Sequence, residues 1–363
     1  MARIFVGMSG GVDSSVTAGL LQQAGHQVVG VYMKNWSQDL PGMRCPWAED
    51  LADAKRVAVR LGIPLKVYDF ETDYHQRVVD YMLAEYQAGR TPNPDIMCNQ
   101  EIKFKLFLET ALADGAELIA TGHYAKKVVV DGKSYLALAT DQKKDQTYFL
   151  YRVTGEALDK TLLPLGELTK PEVRELASRM GLITADKKDS QGICFVGQVG
   201  IEEFLREYIE VNPGEIIEQE TGRVLGQHKG AIFYTIGQRH GLEIGGGLPY
   251  FVVGKDMAKN QVFVSRNLNQ GGLWTREIEL GDCFWTHEKP VPGQKYQVRL
   301  RHLAPLIDAE IMVGENDTAT IQFATDQKNI ASGQSVVVYD GELCLGGGIA
   351  GWVDNNAEIN WLF

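Results

Sequence analysis

The sequence predicts an α/β protein: an N-terminal doubly wound parallel sheet followed by small β-rich domains, the last a C-terminal β-barrel. Three observations carry this expectation. In the first third of the chain, buried strand patterns alternate with amphipathic helical spacings, which implies a parallel sheet with helices on both faces. A glycine-rich loop joins the first strand to the first helix. From Pro213 onward the period changes to short alternating stretches such as EIIE, AIFYTI, YFVVGKD, QVFVS, YQVRLR and AEIMV, separated by Gly, Pro and Asn turns. At ~150 residues per domain, the length implies two or three domains. We place them at residues 1–205 (catalytic, with a helical extension), 206–275 (a small central β-domain) and 276–363 (the barrel-like domain).

Arg3 to Met8 reads as a buried strand. Ser14 to Ala24 carries Val16, Leu20, Leu21 and Ala24 at helical spacing and closes on Gly25. A second strand, Gln27 to Met33, follows. The next helix places Leu51, Ala54, Val57, Ala58 and Leu61 on one face and stops at Gly62, and Leu65 to Phe70 is the third strand. Thr72 is expected to cap a long helix reaching about Ala88. RTPNPDIMC reads as a loop; Asn99 then opens a helix through Phe104, Phe107, Leu108 and Leu112, and Leu118 to Thr121 is the next buried strand. Helical patterns recur between 165 and 205 in PEVRELASRMG and IEEFLREYI.

Composition narrows the function class. Hydrophobic residues make up 44% and charged residues 23% of the 363, as in ordinary globular proteins. The formal charge of -11 argues against coating nucleic acid through bulk positive charge, and leaves a local basic patch as the alternative. Five scattered cysteines without a CxxC pair indicate neither a disulfide framework nor a zinc knuckle. MARIFVGMSGG reads as a strand entering a glycine turn rather than a signal peptide, and no apolar run approaches a membrane span. The expectation is a cytoplasmic protein with no membrane partner.

The sharpest motif is SGGVDSS at 9–15, between the first strand and the first helix. Glycines there aim N–H groups inward and the helix N-terminus adds partial positive charge, so the loop is built to cradle phosphate. A Walker A loop would contain GxxxxGK[ST], but no Lys occurs between Met1 and Met33. Asp13 suits Mg²⁺ bound to a pyrophosphate instead.

SGGVDSS is the signature of the ATP-pyrophosphatase, or PP-loop, superfamily, whose fold is the adenine nucleotide alpha-hydrolase type. GRTPNPDIMCN, ATGHYA, KDQTYFLYR and KKDSQGICF, in that order, together with TIGQRHGLEIGG and GELCLGGGI, resemble the bacterial tRNA-specific 2-thiouridylase family over essentially the whole chain. The resemblance implies ATP-dependent 2-thiolation of the wobble uridine of tRNA, those for Glu, Gln and Lys, with sulfur from a cysteine desulfurase or sulfur-relay protein. It implies ATP contacts by Gly7, Met8, Ser9, Gly10, Gly11, Val12, Asp13, Ser14, Met33 and Gly122. Asn93, Pro94 and Asp95 would contact the target base. His123, Lys144, Asp145 and Gln146, with Arg301, His302 and Gln334, would contact tRNA. Cys98 would be the nucleophile and Cys194 the persulfide carrier, able to join in a disulfide.

The chemistry agrees with these assignments. Adenylation turns the uracil C2 oxygen into a leaving group, and sulfur can then come from a persulfide released by a second thiolate. Two cysteines on separate loops suffice. Cys98, placed just before the expected helix at Asn99, would have its thiol pKa lowered by the dipole. Cys283 and Cys344 stand in strand-like contexts and read as buried hydrophobes. Cys45 is either a bystander or a further thiol near the site. An iron-sulfur cluster on Cys98, Cys194 and a third group ranks second, since the close spacing typical of cluster ligands is absent. Asn93 lies between prolines, so a rigid connector is its other reading. For Met33 the alternative is a core residue, and for His123 a satisfied structural histidine. The doublets Lys126 and Lys127, Lys143 and Lys144, and Lys187 and Lys188 flank the motif loops and are the candidate phosphate contacts, each by default a solvated pair. Two rivals stand beside this function: an amide synthetase fed by ammonia, which needs neither the cysteine pair nor RNA, and a non-catalytic tRNA-binding module.

Overall fold

The computed structural model describes residues 1–39, 45–188, 200–245, 248–267, 274–328 and 330–351. Five strands, β1 (Arg3–Gly7), β2 (Gln27–Lys34), β3 (Leu65–Asp69), β4 (Leu118–Ala120) and β7 (Thr161–Leu162), form a parallel sheet in the order β3-β2-β1-β4-β7. Two more, β5 (Lys126–Val130) and β6 (Lys133–Ala137), fall between β4 and β7 in sequence but join another sheet. Central β1 is flanked on both sides, Phe5 standing opposite Val29 of β2 and Ile119 of β4. Ile4, Phe5 and Val6 are fully buried, as strands covered on both faces must be. The chain leaves β1 toward β2 on one side and meets β4 on the other. The crevice at the carboxyl ends of β1 and β4 is therefore the topological switch point, where open α/β sheets bind ligands.

Helices α1 (Val12–Gln23) and α2 (Trp47–Leu61) cover the sheet, and α2 ends on Gly62 at φ +67, the left-handed turn that suits glycine. A continuous helical run α3 (71–87) follows; it begins at Glu71 with Phe70 as its N-cap, not at Thr72, and contains a π-helical turn, His75–Val79. A larger correction concerns α4 (94–113). The helix opens at Pro94, not Asn99, because the proline ring presets φ for a first turn whose N–H needs no partner, while Asn93 is extended. Its Cys98–Leu106 stretch is π-helical. Cys98 therefore lies inside a helix, one turn past its first residue, rather than ahead of one as expected.

The C-terminal half is β-rich. Strands β8 (Gly214–Glu218), β9 (Val224–His228), β10 (Phe251–Asp256) and β11 (Gln261–Ser265) form a small sheet, β10-β11-β8-β9, around Ile216, Val252, Val262 and Val264. Strands β12 (Trp274–Trp285), β13 (Lys295–Arg299), β14 (Ile307–Val313), β15 (Ala319–Lys328), β16 (Ser335–Asp340) and β17 (Leu343–Ala350) close into a barrel through β12 pairing with β17. The β5–β6 hairpin extends this sheet, Leu136 standing opposite Cys344. One hydrophobic cluster contains Phe5, Cys98 and Phe107 of the first domain together with Val337, Tyr339 and Cys344 of the barrel. No described helix is long and apolar enough to cross a membrane.

Candidate active site

The loops after β1 and β4 meet at the switch point. A Cβ on Gly122 would lie 2.8 Å from both the Asp13 carbonyl carbon and the Ser14 nitrogen, so the β4 loop seats on the first turn of α1 only because residue 122 is glycine. Gly7 leaves 3.1 Å from such a Cβ to the Met33 methyl and 3.7 Å to the Phe107 ring. Met33 and the Cys98-bearing helix thus both abut the end of β1.

Gly10 adopts φ +72, and extended Gly11 is the N-cap of α1 with no side chain to cap it. The positive end of α1 is left open. Around it, the Ser9 N–H donates to Ser14 Oγ at 3.1 Å, the two serine hydroxyls lie 3.2 Å apart, and the Gly11 N–H donates to Ser9 Oγ at 3.4 Å. The Ser14 and Ser15 hydroxyls donate to the Gly11 carbonyl at 3.2 and 2.7 Å. Donors and hydroxyls converging on a helix N-terminus can hold a phosphate. Met8 is fully buried and its N–H donates to Val31 in the sheet, so that donor is committed to the fold.

The lysine missing from this loop comes from elsewhere. The Lys170–Arg179 helix is opened by a capping box between Thr169 and Glu172, and its first residue places Nζ 2.8 Å from each carboxylate oxygen of Asp13. The Tyr124 hydroxyl donates to the same carboxylate at 2.8 Å. Lys170 was missed in the sequence because TKPEVR announces a helix start but carries no local sign that its first side chain turns toward a loop 157 residues away. A second lysine, Lys187, donates to the Gly10 carbonyl at 3.0 Å and pairs with Asp50 and Asp53 at 2.8 and 2.7 Å. Burial alone would push the Asp53 carboxyl up, but Lys187 outweighs it and holds the group below the ordinary carboxylate range. This corrects the expectation for Lys187: its ammonium is paired at the phosphate loop, with the side chain 31% exposed, rather than being a solvated surface charge. Lys126 pairs with Glu167 and Lys127 donates to the Leu158 carbonyl, whereas Lys143 and Lys188 are exposed.

Cys98 is buried near the start of α4. Half-buried Asp95 stands one turn before it; burial pushes its carboxyl up, opposed by the charge of Lys103. Asn93 is half-buried and Pro94 buried. His123 is buried, hydrogen-bonded through Nδ1 to Thr121 Oγ1 at 2.8 Å, with its ring centroid 5.6 Å from that of Phe104. Burial and then Lys103 hold it well below the usual imidazole range, so it is neutral. Cys194 and its pairing with Cys98 lie outside the described residues. Cys45 is buried, its thiol donating to the Trp36 carbonyl at 3.7 Å and pushed up by burial. Burial pushes Cys283 and Cys344 up to about 12. All three are core thiols in this structure.

The residues expected at RNA divide into two groups. Arg301 is exposed and Lys144 half-buried. Asp145, by contrast, is fully buried: its carboxylate accepts from Arg299 Nη1 at 2.7 Å, from the Thr147 hydroxyl at 2.6 Å and from the Ala139 N–H at 2.8 Å. This carboxylate joins the barrel to the first domain and is not open to RNA. Gln146 exchanges hydrogen bonds with the Tyr124 backbone at 2.9 and 2.8 Å. His302 packs 4.3 Å from Phe149 and is held below its ordinary pKa by burial. Gln334 donates to the Thr91 carbonyl at 3.0 Å, so a barrel loop supports the segment that leads into Asn93.

No cluster of three or more potential metal ligands occurs among the described residues. Asp13, in the first turn of α1 with its carboxylate engaged by Lys170 and Tyr124, would be the protein's contribution to an Mg²⁺ held largely by nucleotide oxygens rather than by a protein cage.

Three family models match in series: a tRNA methyl transferase HUP domain over residues 2–198, a tRNA methyl transferase PRC-barrel domain over 202–266, and an aminomethyltransferase beta-barrel domain over 275–350. The tRNA-specific 2-thiouridylase MnmA of Chromobacterium violaceum is 46% identical over 361 residues, covering 96% of this chain and 91% of that one. That of Streptococcus sanguinis is 46% identical over 365 residues, covering 98% and 97%. A solved complex of a 4-thiouridine synthetase with RNA and bound ATP is 17% identical at a TM-score of 0.36, over 57% of this chain and 50% of that one, a likeness too slight to argue from.

Proposed function

This chain belongs to the tRNA-specific 2-thiouridylase family, and we propose that it thiolates the wobble uridine of tRNA at C2 in two steps at the switch point. ATP lies with its phosphates on the α1 N-terminus and its adenine toward Met33. The uracil C2 oxygen attacks the α-phosphorus and pyrophosphate leaves, so that AMP becomes the leaving group at C2. Lys170 and the loop N–H groups stabilise the charge on the departing pyrophosphate. Mg²⁺ bound with the nucleotide would neutralise phosphate charge, with Asp13 the residue to hold it.

Sulfur arrives as a persulfide on Cys194. The Cys98 thiolate attacks the sulfur bonded to the Cys194 side chain, the outer sulfur leaves as hydrosulfide and adds to C2, and AMP departs. A Cys98–Cys194 disulfide is left, to be reduced by external thiol. Asn93 and Asp95 hold the flipped base by its polar edge. The observation that carries this proposal is the phosphate cradle itself: an open helix N-terminus with Asp13 in its first turn and Lys170 brought to that carboxylate.

The test follows products and sulfur together. Incubation with ATP and bulk tRNA should yield AMP and pyrophosphate; ADP and orthophosphate would refute the assignment of the loop. Mass spectrometry should find persulfide in Cys98→Ser but not in Cys194→Ser, and neither variant should thiolate tRNA. Persulfide on Cys98 in the Cys194→Ser protein would reverse the roles, and full activity in either would remove the mechanism.

A further inference from the structure

The peptide between Gly10 and Gly11 has two possible orientations, and only one serves an anion. In a trans peptide the carbonyl and the N–H point in opposite directions. The Gly10 carbonyl is held at 3.0 Å by Lys187, so the Gly11 N–H points the other way, to the side where it meets Ser9 Oγ at 3.4 Å and where the Ser9 and Ser14 hydroxyls lie 3.2 Å apart. Reversing this peptide would turn an oxygen toward the phosphates and remove a donor from them. Lys187 is itself anchored by Asp50 and Asp53 on α2. The loop leans on the same helix: a Cβ at Gly10 would come within 2.4 Å of the Asp50 carbonyl oxygen.

We propose that Lys187 is a positioning residue for the nucleotide: by holding the Gly10 carbonyl against α2 it presets the Gly10–Gly11 peptide with its N–H toward the phosphates. The proposal rests on the assignment of this loop to ATP. Lys187 has a second effect of the same sign, since its charge offsets two carboxylates that would otherwise repel a polyphosphate beside the loop.

The experiment measures ATP binding by calorimetry on the full chain without tRNA, then KM and kcat for tRNA-dependent pyrophosphate release. Lys187→Met should weaken ATP binding on the order of 10- to 100-fold, the size expected for one charge-assisted hydrogen bond. KM should rise more than kcat falls. Lys55→Met, which removes the same charge from an exposed site on α2, should stay within about 2-fold of wild type. Lys187→Arg preserves the charge and the carboxylate pairing, but its planar fork cannot aim at three separate acceptors; it should fold and show an intermediate affinity. Wild-type ATP affinity in Lys187→Met overturns the proposal, and weakened tRNA binding in its place would make Lys187 a phosphate contact for RNA. A wild-type protein that binds no ATP would instead remove the functional assignment on which the proposal stands.

Discussion

The ammonium of Lys170 lies 2.8 Å from both carboxylate oxygens of Asp13, joining the N-terminus of a helix beyond the sheet to the first turn of α1. Lys170 is 8% exposed, so the pair is partly shielded from solvent screening. It supplies the phosphate loop with the cation that its own sequence lacks.

Replacing that cation should damage chemistry more than folding. Lys170→Met is expected to lower kcat/KM for pyrophosphate release by on the order of 10²- to 10³-fold, comparable to the removal of one preorganised donor from a developing anion. Circular dichroism should be unchanged. Activity within threefold of wild type would show that Lys170 only anchors its helix.

Asp95 combines burial with a raised carboxyl pKa, which sets its pH dependence. A carboxyl whose folded pKa is raised contributes stability below its unfolded value, about 3.9, and loses that contribution as pH rises through the folded value. At neutral pH the ionised group is therefore a local liability. Asp95→Asn should raise Tm at pH 7, with the gain shrinking as pH falls toward about 4, while thiolation drops by on the order of 10²-fold. A Tm difference independent of pH would exclude the carboxyl as its source.

Arg299 and Asp145 form a buried ion pair, 5% and 0% exposed, between the barrel and the first domain. Removing one partner leaves an uncompensated buried charge, so Arg299→Met should cost about 3–5 kcal/mol in denaturant unfolding. Arg299→Met combined with Asp145→Ala should recover part of that loss. A single-variant cost below about 1 kcal/mol would mean that water reaches the unpaired carboxylate. Weak tRNA binding by an Asp145 variant should accordingly track loss of folded protein.

Much of the candidate site was legible because its signals are local. SGGVDSS lies between a strand and a helix whose periods are plain, and the glycines it needs for close approach are adjacent in sequence. The start of α4 was misplaced although Pro94 was visible, because RTPNP carries two prolines and reads as a connector until one of them is seen in the first turn. The β5–β6 hairpin went unrecognised for a different reason: its strands are sheltered by the barrel rather than by the domain to which they are connected in sequence.

The sequence by itself determined the α/β class, the change to β-rich domains and the glycine loop between the first strand and the first helix, because hydrophobic period, turn chemistry and motif spacing act over a few residues. Only the tertiary structure decided what the charges do. Lys170 and Arg299 carry no local sign of their role, Asp145 and Lys187 are expected at RNA, and the partners of these four in the structure stand 157, 154, 154 and 177 residues away. A charge acts through the space around it and has no period along the chain. Whether it is solvated, buried in a pair or aimed at a loop is settled only when the sheet, the helices and the barrel pack together.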